Sequence, residues 1–514
     1  MKHTHTAPKH RFCIGAALAL LLLATAAISA CADADTVSDT VTTAAPQTGE
    51  TTEAIETEAP EYTAPGADYG GESFTVGAVD YERAGRSFSW KAAGYCEVFT
   101  DEENGDPIND AIYQRNLAIA ETLNVKLDLY LFSELGQISA EFRKLVLAAE
   151  DVMDIAMVNA VGLPNVIGSG LLVDLNTLPG VDFTHSWWDQ TAREEMTILD
   201  SMYAATGDIS LFMSFAPISY FYNKHLVETL DLEDPYTLVR SGTWTLDKAI
   251  EYSTAAASDL NGDGNMDPTQ DRFGMLCEST SLIYAAHAAG VNLTSKDSEG
   301  APYLDVALER AVSLTDTLVP FFNDSSVTLL SNYQKGYNNV FTDLFLPMFQ
   351  EDRAMFYNNQ LLVALNLRDM NTDFGILPPP KLDEAQKDYL CPINDHWGTF
   401  AVMPVTNSNA EMTGHVLEAM GYYGQKYVIS AYIETTVLDK AIRDEDSAEM
   451  VSLILDNRVY DLASFYNWGG INTLFSTLAT SPNKEYTSEL AKIEKKVNKL
   501  IAETVDTIRE EQGE

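Results

Sequence analysis

The chain has 514 residues, of which 76 are acidic and 32 are Lys or Arg, giving a formal net charge of −44 with 46% hydrophobic content. This is a globular composition, too long for one ordinary core, so two domains are expected. The shortage of Lys and Arg excludes a surface built to neutralise nucleic-acid phosphates or to adhere to anionic lipid.

Lys2, Lys9 and Arg11 open the chain without an acid, and the uncharged run CIGAALALLLLATAAISA leads to Cys31. A positive start, an apolar stretch and small residues before the cut describe an export signal over residues 1–30. A membrane-spanning helix is the other reading, but the run is short for one and its small-residue end favours cleavage. The tetrapeptide ISAC resembles the lipobox of bacterial lipoproteins, which implies a lipid on Cys31 and a place at the outer face of the cell membrane. Residues 31–71 are mostly Thr, Ala, Pro, Glu and Asp, with no Lys or Arg. Such a segment buries too little to offset its ordering entropy, and it reads as a solvated acidic tether.

ESFTVGAVDY (72–81) then reads as a strand with a loop after it. In NGDPINDAIYQRNLAIAETLN a cap at Asn109 or Asp110 precedes apolar positions Ile112, Ala118, Ile119 and Leu123, a helix packed on a sheet. VKLDLYLF alternates as a strand, a helix covers about 137–149, and DVMDIAMVNA is a buried strand. This order implies a parallel sheet, whose ligands sit beyond the carboxyl ends of the strands. The loop over residues 80–95 and the loop after Ala160 are therefore candidates to line a site. Tyr81 and Trp90 are its aromatic candidates.

From about residue 210 the pattern changes. FAPISYFYNKHL is a strand running into a helix, and SGTWTLDKAIEYSTAAASD is a helix capped near Thr243 or Thr245, with Trp244 as its anchor. Helices dominate 277–350, while RAMFYNNQ, DFGILPPPK and WGTFAVMPVT supply strands. Long helices are expected over 408–443 and 444–463, and the last thirty residues form an amphipathic helix. Cys96, Cys277 and Cys391 are odd in number and far apart, small hydrophobes rather than a disulfide framework or metal cluster.

SDLNGDGNMDPTQD (258–271) is written like a calcium loop of EF-hand type. Asp259, Asn261, Asp263, Asn265 and Asp267 alternate, Gly264 falls at the sharp turn, and Asp271 stands one place beyond the usual bidentate Glu. No helix follows, because DRFGMLC reads as a strand, so a sensor that swings open is excluded. Two readings remain: one structural Ca²⁺ pinning a surface loop, or an Asx-rich turn that needs no metal. No organic cofactor is called for.

GDPINDAIYQRN, GLLVDLN, SWWD, GDISLF, FYNKHL, GTWTLDK, DLNGDGNMDPTQDRFGM, DFGILPPPK and WGTFAVMP, in this order after a lipobox, resemble the extracellular solute-binding lipoproteins of bacterial ABC importers, sugar-binding type (family 1). The resemblance covers roughly residues 72–480. It implies an α/β, type II periplasmic-binding-protein-like fold, with two lobes joined by a hinge and a ligand cleft between them. Lobe 1 would take residues 72–210 and 394–440, and lobe 2 residues 211–393 and 441–514. The implied partners are a solute, most simply an oligosaccharide, and ABC permease subunits, with the membrane reached only through the lipid and a monomer as the working state. Sugar rings need aromatic faces and polar side chains for their hydroxyls. Trp187, Trp188 and Trp397 are candidates near the expected chain crossings. The resemblance also points to Asp208 as a hydroxyl acceptor, Tyr357 and Asn358 at a cleft-facing position, and Trp468 as a stacking ring. Each of these aromatics has an ordinary core role as its alternative.

Enzyme motifs are absent: no GxSxG, HExxH, P-loop or GxGxxG occurs, and the histidines lack metal-ligand spacing. A surface adhesin, a sensor not coupled to transport, and an anchored glycoside hydrolase stay open as other functions.

Overall fold

The computed structural model describes residues 62–86, 89–368, 370–435 and 445–513. The expected signal, Cys31 and most of the tether lie outside the described residues. The body, Ala59–Glu514, is one compact unit.

Two sheets organise it. Strand β1 (Glu72–Val79) pairs in parallel with β2 (Val125–Phe132) and with β3 (Ile155–Asn159). The helices α1 (Pro107–Leu123) and α2 (Ile138–Leu147) make the connections. The cap of α1 is Asp106, not Asn109 or Asp110: its Oδ1 accepts from the N–H groups of Ile108 and Asn109, with Pro107 at the first helical position. Asp110 instead accepts from the backbone of Asn104 and Gly105, fixing the turn before the helix.

The second sheet begins at β4 (Ile218–Asn223). Helix α3 (Leu246–Ala256) follows, and then β5 (Phe273–Cys277). Helices α4 (Ser281–Ala288) and α5 (Leu308–Asn323) lead to β6 (Thr328–Leu330) and β7 (Ala354–Gln360). A short helix, α6 (Val363–Leu367), and β8 (Phe374–Leu377) come next. The order is β8-β4-β7-β5-β6, with β5, β6 and β7 mutually parallel. The stretch RAMFYNNQ, expected as a short strand and turn, is the seven-residue central strand β7, buried throughout. Its residues pack on both faces of the sheet, which a chain reading for one buried face understates.

The chain then returns. Strand β9 is Cys391–Pro392, and β10 (Thr399–Val402) adds antiparallel to β3, so the first sheet runs β10-β3-β1-β2. Helix α7 is Ala410–Tyr423. The helix expected over 444–463 stops at Asp456: α8 (Glu445–Asp456) gives way to β11 (Arg458–Val459), which pairs in parallel with β9. The backbone of Arg458 and Val459 is extended because it pairs with Cys391 and Pro392, and the Arg458 side chain joins an ion pair to Asp189. Short α9 (Leu462–Tyr466), α10 (Ile471–Ala479) and the long α11 (Tyr486–Gln512) finish the chain.

The tether expectation ran to residue 71, yet the chain packs from Tyr62. The Tyr62 ring stacks on Tyr422 at 4.8 Å, and the Tyr69 hydroxyl meets His415 Nδ1 at 2.7 Å. A few tyrosines supply burial that an average over the segment hides. Cys96, Cys277 and Cys391 are free and buried. Among the described residues no helix is long and apolar enough to cross a membrane.

Candidate functional site

The carboxyl ends of the first sheet's parallel strands open on two cavities, and the second sheet contributes a strand end to the narrower of them. The wider, about 600 Å³, lies beyond β1 and takes Asp80, Arg83, Lys91 and Tyr95 from one side and Arg368, just after α6, from the other. Part of its charge is paired within the protein: Arg83 bonds Asp80 at 2.8 Å and also Asp101, and Tyr95 donates to Asp106 at 3.1 Å. The narrower cavity, about 280 Å³, is the more enclosed. Val161 enters it from the end of β3, Glu278 from the end of β5, and Asp395 and His396 from the segment leading into β10. Tyr460, just after β11, and the following helices with Phe465 and Asn472 complete it. Both loops expected to line a site, after β1 and after Ala160, do line cavities.

The narrower cavity is the candidate binding site. Burial pushes the carboxyls of Glu278 and Asp395 above their ordinary values. Burial also holds the His287 imidazole below its ordinary value, and its Nε2 lies 2.6 Å from Ser464 Oγ. Asp461, also in the lining, is spent on structure: its two oxygens accept from the N–H groups of Leu293, Thr294, Ala463 and Ser464. Asn472 Nδ2 donates to Ser464 O, while its buried Oδ1 has no partner.

Beside the site, where the chain passes between the sheets, two buried ionic clusters tie segments together. Glu97 accepts from Ser210 Oγ at 2.9 Å and from Thr399 Oγ1 at 2.8 Å. Burial pushes its carboxyl up to about 7, while these bonds and the Arg115 charge oppose the shift. Arg115, fully buried, donates to the carbonyls of Glu97 and Val98 at 3.0 and 2.8 Å. In the second cluster Asp189 forms an ion pair with Arg458, whose Nε lies 3.0 Å away, and accepts from the Tyr460 hydroxyl at 2.7 Å.

None of the nine expected ligand residues lines either cavity. Tyr81 and Trp90 are half-buried neighbours of the wide one, and Trp397, edge-on to Phe212 at 5.7 Å, adjoins the narrow one. Trp187 and Trp188 are core: the first packs against His185 at 4.4 Å, and the second donates from Nε1 to Glu418 at 3.1 Å. Asp208 accepts from Gln425 at 2.8 Å, and burial pushes its carboxyl up to about 6. Tyr357 is fully buried among Phe345 and Phe349. Asn358 accepts from Ser281 Oγ at 2.7 Å. Trp468 stacks on Tyr466 at 4.6 Å and donates to Thr504, after the short α9 and not a long helix. Glu278 and Asp395 were missed, though a signal existed: Glu278 is the residue directly after the strand DRFGMLC, where the carboxyl-end rule places ligands.

The loop 259–271 is closed by its own backbone. Asp259 accepts from Gly262 N and Gly264 N, both at 2.7 Å, and Asp263 accepts from Asn265 N at 2.8 Å. Asn261 accepts from Asp263 N and Asp267 from Thr269 N, both at 2.8 Å. Asp271 is buried and staples the loop through Leu260 N and Asp267 N. Among the described residues, no three His, Cys, Asp or Glu side chains gather to hold a metal.

Comparison with known proteins places the fold. No family model matches the chain, and no curated protein matches it in sequence. Solved structures do match. An ABC substrate-binding protein from Listeria monocytogenes in complex with cycloalternan aligns at TM-score 0.55 with 11% identity, covering 84% of this chain and 99% of that one. The maltose/maltodextrin-binding domain from Bdellovibrio bacteriovorus bound to maltotriose aligns at 0.52 with 11% identity, covering 84% and 100%. UgpB from Mycobacterium tuberculosis in complex with glycerophosphocholine aligns at 0.53 with 16% identity, covering 77% and 95%. The chain therefore has the two-lobe, periplasmic-binding-protein-like α/β fold of these binding proteins.

Proposed function

We propose that this protein is a non-catalytic solute-binding protein of an ABC importer, that its solute is a saccharide, and that the enclosed cavity between the carboxyl ends of β3 and β5 receives it. The observation that carries this reading is the convergence of strand ends from both sheets on a cavity with buried polar groups and aromatic walls, Tyr284, Tyr460 and Phe465. Carboxylates and Asn472 accept sugar hydroxyls, and the rings cover apolar C–H faces. Closure of the two lobes about the crossing segments would trap the solute, which favours the closed state only by its differential affinity. The lipobox supports anchoring through Cys31 at the outer membrane face and delivery to permease subunits. Thermal unfolding of the full chain with a panel of saccharides, peptides and small polar solutes tests the reading. A saccharide at a hundredfold excess over Kd should add about 2.7 kcal/mol of stability. A shift with peptides alone would discard the saccharide.

We further propose that loop 259–271 binds one structural Ca²⁺ through Asp259, Asn261, Asp263, Asn265 and Asp267, with Asp271 holding the loop in shape. The support is the alternation of oxygen donors around Gly264, whose φ of +84° gives the sharp turn such loops need. Calcium added to metal-stripped protein should raise the unfolding temperature, and Asp263→Ala should abolish the rise. An unchanged temperature would assign the loop to metal-free Asx turns.

A further inference from the structure

We propose that the last turn of α11 and the turn Ile198–Ser201 form a sprung catch between the two lobes, which holds them together while storing strain that favours their separation. The inference rests on the two-lobe fold and not on which solute is bound. The two partners are rooted in different sheets. The segment around the turn belongs with the first: Val173 N donates to Met403 O at 2.9 Å and Ala205 N to Ala401 O at 3.1 Å, at the end of β10. Helix α11 belongs with the second: its Tyr486 ring lies 5.7 Å from Phe475 on α10, and Asn323, which ends α5, donates to Ala479 O of α10 at 2.9 Å. Polar contacts join the two. Gln512 Nε2 donates to Leu199 O at 2.6 Å and to Ser201 Oγ at 2.9 Å, and Glu511 accepts from Gly170 N. The hairpin of Thr294–Lys296 and Pro302–Leu304 adds two more: Leu199 N donates to Gly300 O at 3.3 Å, and Lys296 Nζ to Glu195 O at 2.9 Å. Arg509 ties the helix to this hairpin through Glu299 at 3.0 Å.

The turn that is held is an unfavourable one. Ile198 and Ser201 exchange both backbone hydrogen bonds at 3.0 Å, so Leu199 and Asp200 are the two central residues of a tight hairpin. Their φ angles are +51° and +65°. Positive φ at both positions is a geometry that Asn-Gly adopts readily and that leucine resists. Groups rooted with the second sheet take both backbone polar groups of Leu199: Gly300 its N–H and Gln512 its C=O. A contact made in one state alone shifts the equilibrium by its own free energy. Separation of the lobes breaks these bonds and frees the turn, so the bonds favour the joined state and the strain opposes it. Where the two nearly balance, a modest difference in solute affinity decides between capture and release.

Hydrogen exchange of the full chain, with no solute added, tests the catch at two amides. One is Leu199 N–H. The other is Lys91 N–H, which donates to Asn366 Oδ1 at 3.2 Å and so joins the loop after β1 to α6 independently of the catch. The amides of β1, which exchange through global unfolding, are the control. Gln512→Ala should speed exchange at both Leu199 and Lys91 about fivefold, the contribution of one net hydrogen bond, and leave β1 unchanged. Leu199→Asn with Asp200→Gly relieves the strain and should slow exchange at Lys91 about fivefold or more. Thermal unfolding checks that both variants keep the fold. Changes confined to the turn, with Lys91 unmoved, would overturn the catch and leave a local hairpin. Equal changes at Lys91 and throughout β1 would mean a shift of global stability and would overturn it too. Changes at Lys91 of the opposite sign would show that these contacts hold the lobes apart, which also overturns it.

Discussion

Replacing Arg115 with methionine should cost about 4 kcal/mol of unfolding free energy, because it strips one side from a buried ionic cluster. Methionine fills much of the volume but cannot donate to the carbonyls of Glu97 and Val98, and Glu97 loses its compensating charge. The loss should depend on pH in a defined direction. The folded carboxyl of Glu97 is raised to about 7 from an ordinary 4.5, so the native state keeps this proton longer than the unfolded chain. Stability from this group is therefore greatest in acid and declines as pH rises through that window. Arg115 opposes the decline by favouring the ionised form. Urea denaturation should accordingly find Arg115→Met more damaging at pH 8 than at pH 5. In a Glu97→Gln background the difference between the two pH values should vanish. An equal loss at both pH values in the presence of Glu97 would mean that Arg115 acts only through its hydrogen bonds.

Gly207→Ala should be nearly as severe, about 4 kcal/mol, for a different reason. Gly207 has φ of +153°, and an added Cβ would lie 2.2 Å from Trp187 O and 2.8 Å from Trp188 Cα. Those atoms are backbone and cannot swing away, since Asp208 N donates to the same Trp187 carbonyl at 2.8 Å. The strain would open the contact between SWWD and GDIS just where the chain leaves the first sheet for the second. Gly336→Ala is the control: its φ is +90° but nothing lies within 4 Å of the added methyl, so only the backbone term of about 1 kcal/mol should appear. Equal effects at the two sites would show that conformation alone decides, and the close approach would carry no weight.

What the chain determines by itself is local. The alternation in VKLDLYLF and the apolar run in DVMDIAMVNA are properties of a few successive residues, so β2 and β3 stand where the sequence puts them. Their order with α1 and α2 forces the parallel sheet, and the carboxyl-end rule then marks the loops after β1 and Ala160, both of which line cavities. The cap of α1 was misplaced by a few residues because Asn104, Asp106, Asn109 and Asp110 are all able caps, and only the turn geometry selects among them.

The site residues were a matter for the tertiary structure. An aromatic ring chosen for a sugar face and one chosen for a core look alike in a sequence, and Trp187, Trp188, Tyr357 and Trp468 all proved to be core. Among 76 acids nothing local singles out Asp395, and only its place directly after a strand marks Glu278. They come together only because the ends of β5 and of the segment before β10 meet at one cavity, with Asn472 brought from far along the chain. Secondary structure follows from periods of two and 3.6 residues, which neighbours in sequence can satisfy. A desolvated cluster of acceptors is made by groups hundreds of residues apart, and its chemistry does not exist until the two sheets pack.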